Sequence, residues 1–149
     1  MQTTITRIHD PARALAYFED KLAFTVGPME LERLVKSGDG NIVIVDVREA
    51  EDYAKSHIPG AINLPRGTWA GAMGLSKHKT NIVYCYALLC HLAASACVEF
   101  AAKGYPVVEL EGGFKAWEEQ EFDIEHETSN RLKKVHERLV NRRHMVSRS

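Results

Sequence analysis

Residues 81–96 read NIVYCYALLCHLAASA. The apolar run before Cys85 predicts a short strand, and the small residues after Cys90 predict a helix, so a tight loop joins the two. Open α/β sheets bind their ligands beyond the carboxyl ends of the strands, which is where Cys85 stands. Backbone N–H groups at a helix start also favour a thiolate over a thiol. The segment therefore predicts a reactive cysteine at a strand end.

Other apolar segments place this strand in a parallel sheet. Residues 42–45, Ile-Val-Ile-Val, form a β-branched run typical of a strand buried on both faces. Residues 107–110 predict another strand, and a turn within residues 57–65 leads into a short one. Because helical segments separate these strands, we expect an α/β domain with a parallel sheet. Asp46 follows the first strand, where we expect it to hold a turn rather than to react.

An N-terminal extension, residues 1–24, precedes the central domain, for which we expect residues 25–122. Asp10 and Pro11 are typical of the start of a helix, as the cap and the first helical position. Apolar side chains then recur at helical spacing, at Leu15, Phe18 and Leu22. This helix could pad the core of the domain or contact a second copy of the chain.

A C-terminal extension, residues 123–149, is predicted to form a basic amphipathic helix from Thr128 to about Met145. Its narrow apolar stripe consists of Leu132, Val135 and Leu139. Residues 127–149 carry seven Lys and Arg against two Glu, a charge of +5, whereas the remainder carries twelve against eighteen, or −6. The positive charge is either a solvated helix face or a contact for an acidic partner or a neighbouring subunit. Both extensions are candidates for a homodimer contact.

The composition is that of an ordinary globular domain, with 149 residues of which 45% are hydrophobic and 26% charged. The net charge of −1 argues neither for nor against nucleic acid, and no nucleic-acid partner is expected. No apolar run approaches the ~18 residues of a membrane span, and the first residues lack the apolar core of a signal peptide. Three cysteines cannot all pair within one chain. We therefore expect reduced thiols in a cytoplasmic protein without membrane contact.

Five motifs, in this order and at this approximate spacing, resemble a single rhodanese domain. They are Asp46-Val47-Arg48-Glu49, residues 57–65 (HIPGAINLP), Tyr84-Cys85, Gly104-Tyr105-Pro106-Val107 and residues 111–117 (EGGFKAW). The resemblance implies a rhodanese-like fold, a five-stranded parallel sheet flanked by helices on both faces. It also implies a sulfurtransferase in which Cys85 is catalytic and carries sulfane sulfur as a persulfide. The sulfur would pass from a small or protein-bound donor to a thiol or another nucleophile, and no cofactor is expected.

The loop after Cys85 departs from the pattern that is usual in the family. That pattern, Cys-x-x-Gly-x-Arg, has a glycine and an arginine where this chain has Leu88 and Cys90. The loop is about two residues longer and is similar to the Cys-x4-Cys loop of some rhodanese relatives. A persulfide is anionic, and inward-pointing N–H groups of such a loop suit an anion. The candidate residues for binding substrate and persulfide are Tyr86, Ala87, Leu88, Leu89, Cys90 and His91.

Two side chains of this loop allow two interpretations each. Cys90 could attack a persulfide on Cys85 and leave a disulfide between residues 85 and 90, or it could simply fill space. His91 could pair with a thiolate or an anionic substrate, or it could begin the helix and face water. The apolar loop side chains raise a thiol pKa by desolvation and suit a neutral or protein-bound donor better than thiosulfate. Cys97, on the following helix, is expected to be buried and inert.

Other classes of function fit the pattern less well. The three cysteines and His91 do not form the two short paired clusters of a zinc site, so no metal is expected. A phosphatase loop requires an arginine where His91 stands. The principal alternative is a non-catalytic rhodanese-like module that binds or regulates a partner through the terminal helices and the basic tail. Arg48 and Arg66 could border the site without being catalytic.

Overall fold

The computed structural model describes residues 6–127 together with residues 138, 140 and 142. Within these residues the chain forms one sheet of five strands. The strands are β1 (Thr25–Val26), β2 (Ile42–Asp46), β3 (Ile62–Asn63), β4 (Thr80–Tyr84) and β5 (Val107–Leu110). Their order across the sheet is β1-β5-β4-β2-β3, and every neighbouring pair is parallel. The expected five-stranded parallel sheet is therefore confirmed.

Helices cover both faces of this sheet, as predicted. They are α1 (Pro11–Phe24), α2 (Pro28–Ser37), α3 (Ala50–Lys55), α4 (Leu92–Ala102) and α5 (Gly113–Glu119). One apolar cluster joins Ile44 of β2 to α2 and α5, and another joins the next residue, Val45, to α4. Because successive residues of a strand point to opposite faces, the two clusters lie on opposite sides of the sheet. Burial on both faces explains why the central strands read as continuous apolar runs.

The chain leaves the two central strands in opposite directions across the sheet. β3 lies beyond β2, whereas β5 lies beyond β4. The carboxyl ends of β2 and β4 therefore border the crevice at which α/β folds bind their ligands. The strand register places Asp46 beside Tyr84, so the next residue, Cys85, stands at the rim of this crevice.

Asp46 holds the turn after β2 through a buried ion pair with Arg48. The Arg48 Nη2 atom donates to Asp46 Oδ2 at 2.8 Å, and the Arg48 backbone N–H donates to Asp46 Oδ1 at 2.8 Å. The guanidinium also donates to the carbonyl oxygen of Ser56 at 2.6 Å and lies 4.1 Å from the centre of the Phe114 ring. Both charged side chains are buried and paired with each other, which agrees with a structural role for Asp46.

The N-terminal helix begins as predicted but does not pad the core. The Arg13 backbone N–H donates to the Asp10 side chain at 3.2 Å and caps α1. The three stripe residues Leu15, Phe18 and Leu22 are 63%, 56% and 82% exposed. Since α1 contacts the sheet at β1 and β5, near one edge, its apolar stripe is not covered by the domain. Padding of the core is therefore wrong, and a contact with a second copy stays a prediction.

The predicted basic helix from Thr128 to Met145 lies outside the described residues, apart from residues 138, 140 and 142, which are helical. The division of the chain at residues 24 and 122 likewise stays a prediction. In the part of the chain that the structure describes, no helix is both long and apolar enough to cross a membrane.

The first turn of α5 fixes the backbone that follows β4. The Phe114 backbone N–H donates to the carbonyl oxygen of Cys85 at 2.8 Å, and the Lys115 N–H donates to that of Tyr86 at 2.9 Å. Gly113 allows this approach, because a Cβ atom there would lie 2.7 Å from the Cys85 carbonyl oxygen and 2.9 Å from the Ala87 nitrogen. Its φ of +63° is also a conformation that side chains disfavour. We call these contacts the α5 clamp.

Replacing Gly113 by alanine should disturb the α5 clamp. The methyl group has no room against the loop backbone and the positive φ adds strain, so we expect Gly113→Ala to lower the free energy of unfolding by ~1–3 kcal/mol. Urea denaturation measures this change. Gly40→Ala is the matched control, because a Cβ atom there meets nothing within 4 Å. Equal stability of the two variants would show that the clamp does not require glycine.

Candidate active site

Cys85 occupies the position that the sequence predicts, directly after β4 and before the loop that leads to α4. The loop comprises residues 86–91, and a turn in which the Cys90 N–H donates to the Ala87 carbonyl oxygen at 3.0 Å folds it back. The Cys85 side chain is only 3% exposed and belongs to the apolar cluster beneath α4. The thiol is therefore enclosed by its own loop and by the first turn of the helix.

Burial decides the protonation state of Cys85. Desolvation, followed by the neighbouring Cys90 thiol, raises the pKa of Cys85 to about 11, although backbone hydrogen bonds with Ala93 and Ala87 act in the opposite direction. The Sγ atom lies 3.4 Å from the carbonyl oxygen of Cys90 and 3.9 Å from that of Ala87, to which the thiol donates. Cys85 is therefore a neutral thiol at neutral pH. The preference for a thiolate that a helix start provides is outweighed by the apolar surroundings.

Cys90 shows the opposite shift. Partial burial would raise its pKa, but a backbone hydrogen bond with Leu92, the hydrogen bond with the Cys85 thiol, the Tyr86 backbone and the positive charge of Arg66 together lower it. Cys90 is also more exposed than Cys85. The site thus contains two neighbouring thiols that shift each other's pKa, and the more exposed one, Cys90, ionises first.

The remaining loop side chains are arranged around this pair without all facing it. The Tyr86 hydroxyl donates to Asp52 Oδ2 at 2.6 Å and accepts the Glu49 backbone N–H at 3.2 Å, which ties the loop to the start of α3. Leu88 and Leu89 are 69% and 93% exposed, so they form an apolar tip that faces solvent. The partly buried Ala87 contributes its backbone to the surroundings of Cys85.

The surroundings of His91 do not identify it as the partner of the Cys85 thiol. It is exposed and occupies the N-cap position of α4, where its side chain makes no capping hydrogen bond. When its ring is protonated, His91 lowers the pKa of Glu109, whose overall pKa is nevertheless raised by burial. These observations agree with a residue that begins the helix and faces water.

Arg66 and Gly113 are the site residues that the sequence did not assign. Arg66 was expected only to border the site, but its charge acts on Cys90, which lies 24 residues further along the chain. Gly113 belongs to a turn whose glycines indicate special backbone conformations, but only the fold shows that the Cys85 carbonyl lies against it.

Cys97 is half-buried on α4, and burial raises its pKa to about 12, which agrees with the expected inert thiol. Among the described residues, no cluster of three or more His, Cys, Asp and Glu side chains is placed to hold a metal ion.

The fold and the site define an α/β domain with a buried thiol at the end of a central strand, inside a backbone loop. The family model described as Rhodanese-like domain matches residues 28–120, well over half of the chain. The chain belongs to the rhodanese family.

Curated relatives and solved structures agree with this assignment. The chain is 33% identical over 87 residues to an HTH-type transcriptional regulator of Mycobacterium tuberculosis, a match that covers 58% of this chain and 38% of the regulator. It is 34% identical over 94 residues to the thiosulfate sulfurtransferase GlpE of Coxiella burnetii, covering 62% of this chain and 84% of that protein. A crystal structure of a Bacillus halodurans protein superimposes with a TM-score of 0.73 at 34% identity, covering 79% and 88% of the two chains. The chain therefore spans less than two fifths of the regulator but most of the sulfurtransferase.

The opposite pKa shifts of the two loop thiols predict an order of alkylation. At neutral pH, iodoacetamide should modify Cys90 before Cys85, because thiolates react and thiols do not. The rate at Cys85 should then rise about tenfold per pH unit until the pH approaches its pKa of about 11. Peptide mass mapping after brief labelling measures both rates. Faster labelling of Cys85 than of Cys90 at neutral pH would contradict the assignment.

Proposed function

We propose that this protein is a sulfurtransferase that carries sulfane sulfur as a persulfide on Cys85. The observation that carries the proposal is the placement of this thiol at the carboxyl end of β4, enclosed by a loop whose backbone already bonds to the sulfur. The α5 clamp turns the carbonyl groups of Cys85 and Tyr86 away towards α5. Backbone hydrogen bonds with Ala93 and Ala87 already lower the pKa of Cys85, and we expect these N–H groups to face an anionic outer sulfur as well.

The proposed reaction has two displacement steps. After loss of its proton, Cys85 attacks the outer sulfur of a donor, forms the sulfur–sulfur bond of the persulfide and expels the remainder of the donor as a thiolate or sulfite. A thiol acceptor, as its thiolate, then attacks the outer sulfur of the persulfide and expels the Cys85 thiolate. The sulfur atom is transferred without net oxidation or reduction of Cys85.

The loop favours a neutral or protein-bound sulfur donor over thiosulfate. Cys85 lies in apolar surroundings that disfavour a dianion, and the exposed tip of Leu88 and Leu89 offers a contact for a protein surface. Arg66 opposes this preference for a neutral donor, because its positive charge near Cys90 attracts anions. The cytoplasmic location, the absence of a nucleic-acid partner and the homodimer stay predictions.

A second function, a non-catalytic binding module, is favoured by one observation. A thiol that is 3% exposed and has a pKa of about 11 is a poor nucleophile at neutral pH. In that case the apolar face of α1 and the basic C-terminal segment would contact a partner, and Cys85 would serve packing alone.

Turnover with a sulfane-sulfur donor separates the two functions. With a persulfide donor and an excess of a small thiol, the wild type should transfer sulfur to the thiol continuously. A second molecule of the thiol then reduces the acceptor persulfide to a disulfide and sulfide, and the sulfide is measured. Cys85→Ser should lose activity by at least on the order of a thousandfold, because the attacking atom is gone. Cys97→Ser is the matched control and should retain the wild-type rate.

Absence of turnover in the wild type, with any donor, would support the binding module instead. Equal activity of wild type and Cys85→Ser would place the chemistry elsewhere. Turnover with thiosulfate as efficient as that with the persulfide would overturn the donor preference while leaving the role of Cys85 intact.

A further inference from the structure

A second thiol lies against Cys85 and is built into the same loop. The turn closed by the Cys90 N–H and the Ala87 carbonyl oxygen brings Cys90 back towards Cys85, close enough that each thiol shifts the pKa of the other. The Cys85 Sγ atom is 3.4 Å from the Cys90 carbonyl oxygen. Cys90 is partly exposed, whereas Cys85 is buried. A persulfide formed on Cys85 would therefore have a second sulfur nucleophile beside it.

We propose that Cys90 is the resolving thiol of this site: it attacks a persulfide on Cys85, releases hydrosulfide and leaves a disulfide between the two residues. The inference rests on the proposed sulfurtransferase function and adds the fate of the transferred sulfur. In this reaction no external thiol accepts the sulfur; Cys85 and Cys90 together supply the two electrons that reduce the sulfane sulfur to sulfide.

Atoms and electrons balance within the pair. The persulfide is an anion and Cys90 is a thiol at the start of the step, and the Cys90 proton passes to the outer sulfur. The Cys90 thiolate then attacks Cys85 Sγ, the bond between Sγ and the outer sulfur breaks, and the outer sulfur leaves as HS⁻ with the electron pair of that bond. One negative charge is present before and after the step. The outer sulfur gains two electrons, and the two cysteine sulfurs lose them as the disulfide forms. A dithiol, either small or on a protein, then reduces the disulfide to two thiols and is itself oxidised to a disulfide.

The surroundings of the two sulfurs favour attack on the inner sulfur of the persulfide. Attack by Cys90 on the outer sulfur would only move the persulfide from Cys85 to Cys90 and would release nothing. Attack by Cys90 on Sγ expels hydrosulfide, which diffuses away, and leaves the two cysteines joined as a disulfide. Cys90 is the better prepared nucleophile, because the backbones of Leu92 and Tyr86 and the charge of Arg66 stabilise its thiolate.

The contacts of Cys90 also distinguish it from the third cysteine. Cys97 is half-buried on α4, and its pKa is raised to about 12 by burial and by Glu109. The pKa of Cys90, in contrast, is lowered by backbone hydrogen bonds with Leu92 and Tyr86. This makes Cys97→Ser a matched control for Cys90→Ser, since each variant removes one sulfur atom near the same helix.

A single turnover without added thiol tests the inference. The reduced full-length protein is exposed to glutathione persulfide, the excess donor is removed rapidly, and released sulfide and intact mass are followed with time. The wild type and Cys97→Ser should release about one sulfide per chain and lose the mass of two hydrogens, with a peptide-mapped disulfide between residues 85 and 90. Cys90→Ser and Cys90→Ala should retain one extra sulfur on Cys85 and release sulfide at least about tenfold more slowly.

Each alternative outcome is decisive. If the wild type retains its persulfide as long as Cys90→Ser and forms no disulfide between residues 85 and 90, the resolving role is overturned while the sulfurtransferase function stands. If neither the wild type nor Cys90→Ser takes up sulfur or releases sulfide, the proposed function fails and the resolving role fails with it. A disulfide that disappears in Cys97→Ser would assign the role to Cys97 instead.

Discussion

The hydrogen bonds between the first turn of α5 and the carbonyl groups of Cys85 and Tyr86 are the constraint on which the site depends. They fix which way the peptide groups after β4 face, and Gly113 is the residue that lets the two backbones meet. Because the carbonyl groups are bonded to α5, the loop must curve back over the sulfur rather than continue the strand. The contact therefore links a helix distant in sequence to the geometry of the cysteine.

Within that loop, two thiols with the same ordinary pKa acquire different pKa values from their surroundings. Cys85 is enclosed by apolar side chains and keeps its proton, whereas Cys90 receives backbone hydrogen bonds and the field of Arg66. This difference in pKa matters because thiol–disulfide chemistry needs one sulfur that attacks and another from which a group departs. A buried thiol with a partly exposed, more acidic neighbour satisfies that requirement. The longer loop contains both thiols, and Cys90 stands where the pattern that is usual in the family has an arginine.

Much of the fold could be predicted from the sequence, because long elements leave strong local patterns. β2 and β5 were identified from β-branched and apolar runs, and the cap at Asp10 was correctly assigned. β1 was not located, since two residues carry no periodicity and their pairing with β5 depends on the fold. The stripe on α1 was recognised, but its exposure could not be predicted because the pattern does not say which surface a helix meets.

The site was predictable in position but not in electrostatics. Cys85 stands at the end of β4 as the motif order indicates, and the desolvating effect of an apolar loop was foreseeable. The lowered pKa of Cys90 was not, because it depends on Arg66 and on N–H groups whose direction the turn sets. The exposed position of His91 at the N-cap of α4 likewise follows from where α4 begins.

The central claim is that the loop after β4 holds an anionic sulfur on Cys85, and a crystal structure of the Cys90→Ser variant after exposure to glutathione persulfide tests it most directly. The account predicts one additional sulfur atom bonded to Cys85 Sγ, within hydrogen-bond distance of N–H groups of the loop or of the first turn of α4. An unmodified Cys85, or an additional sulfur on Cys97 instead, would contradict it.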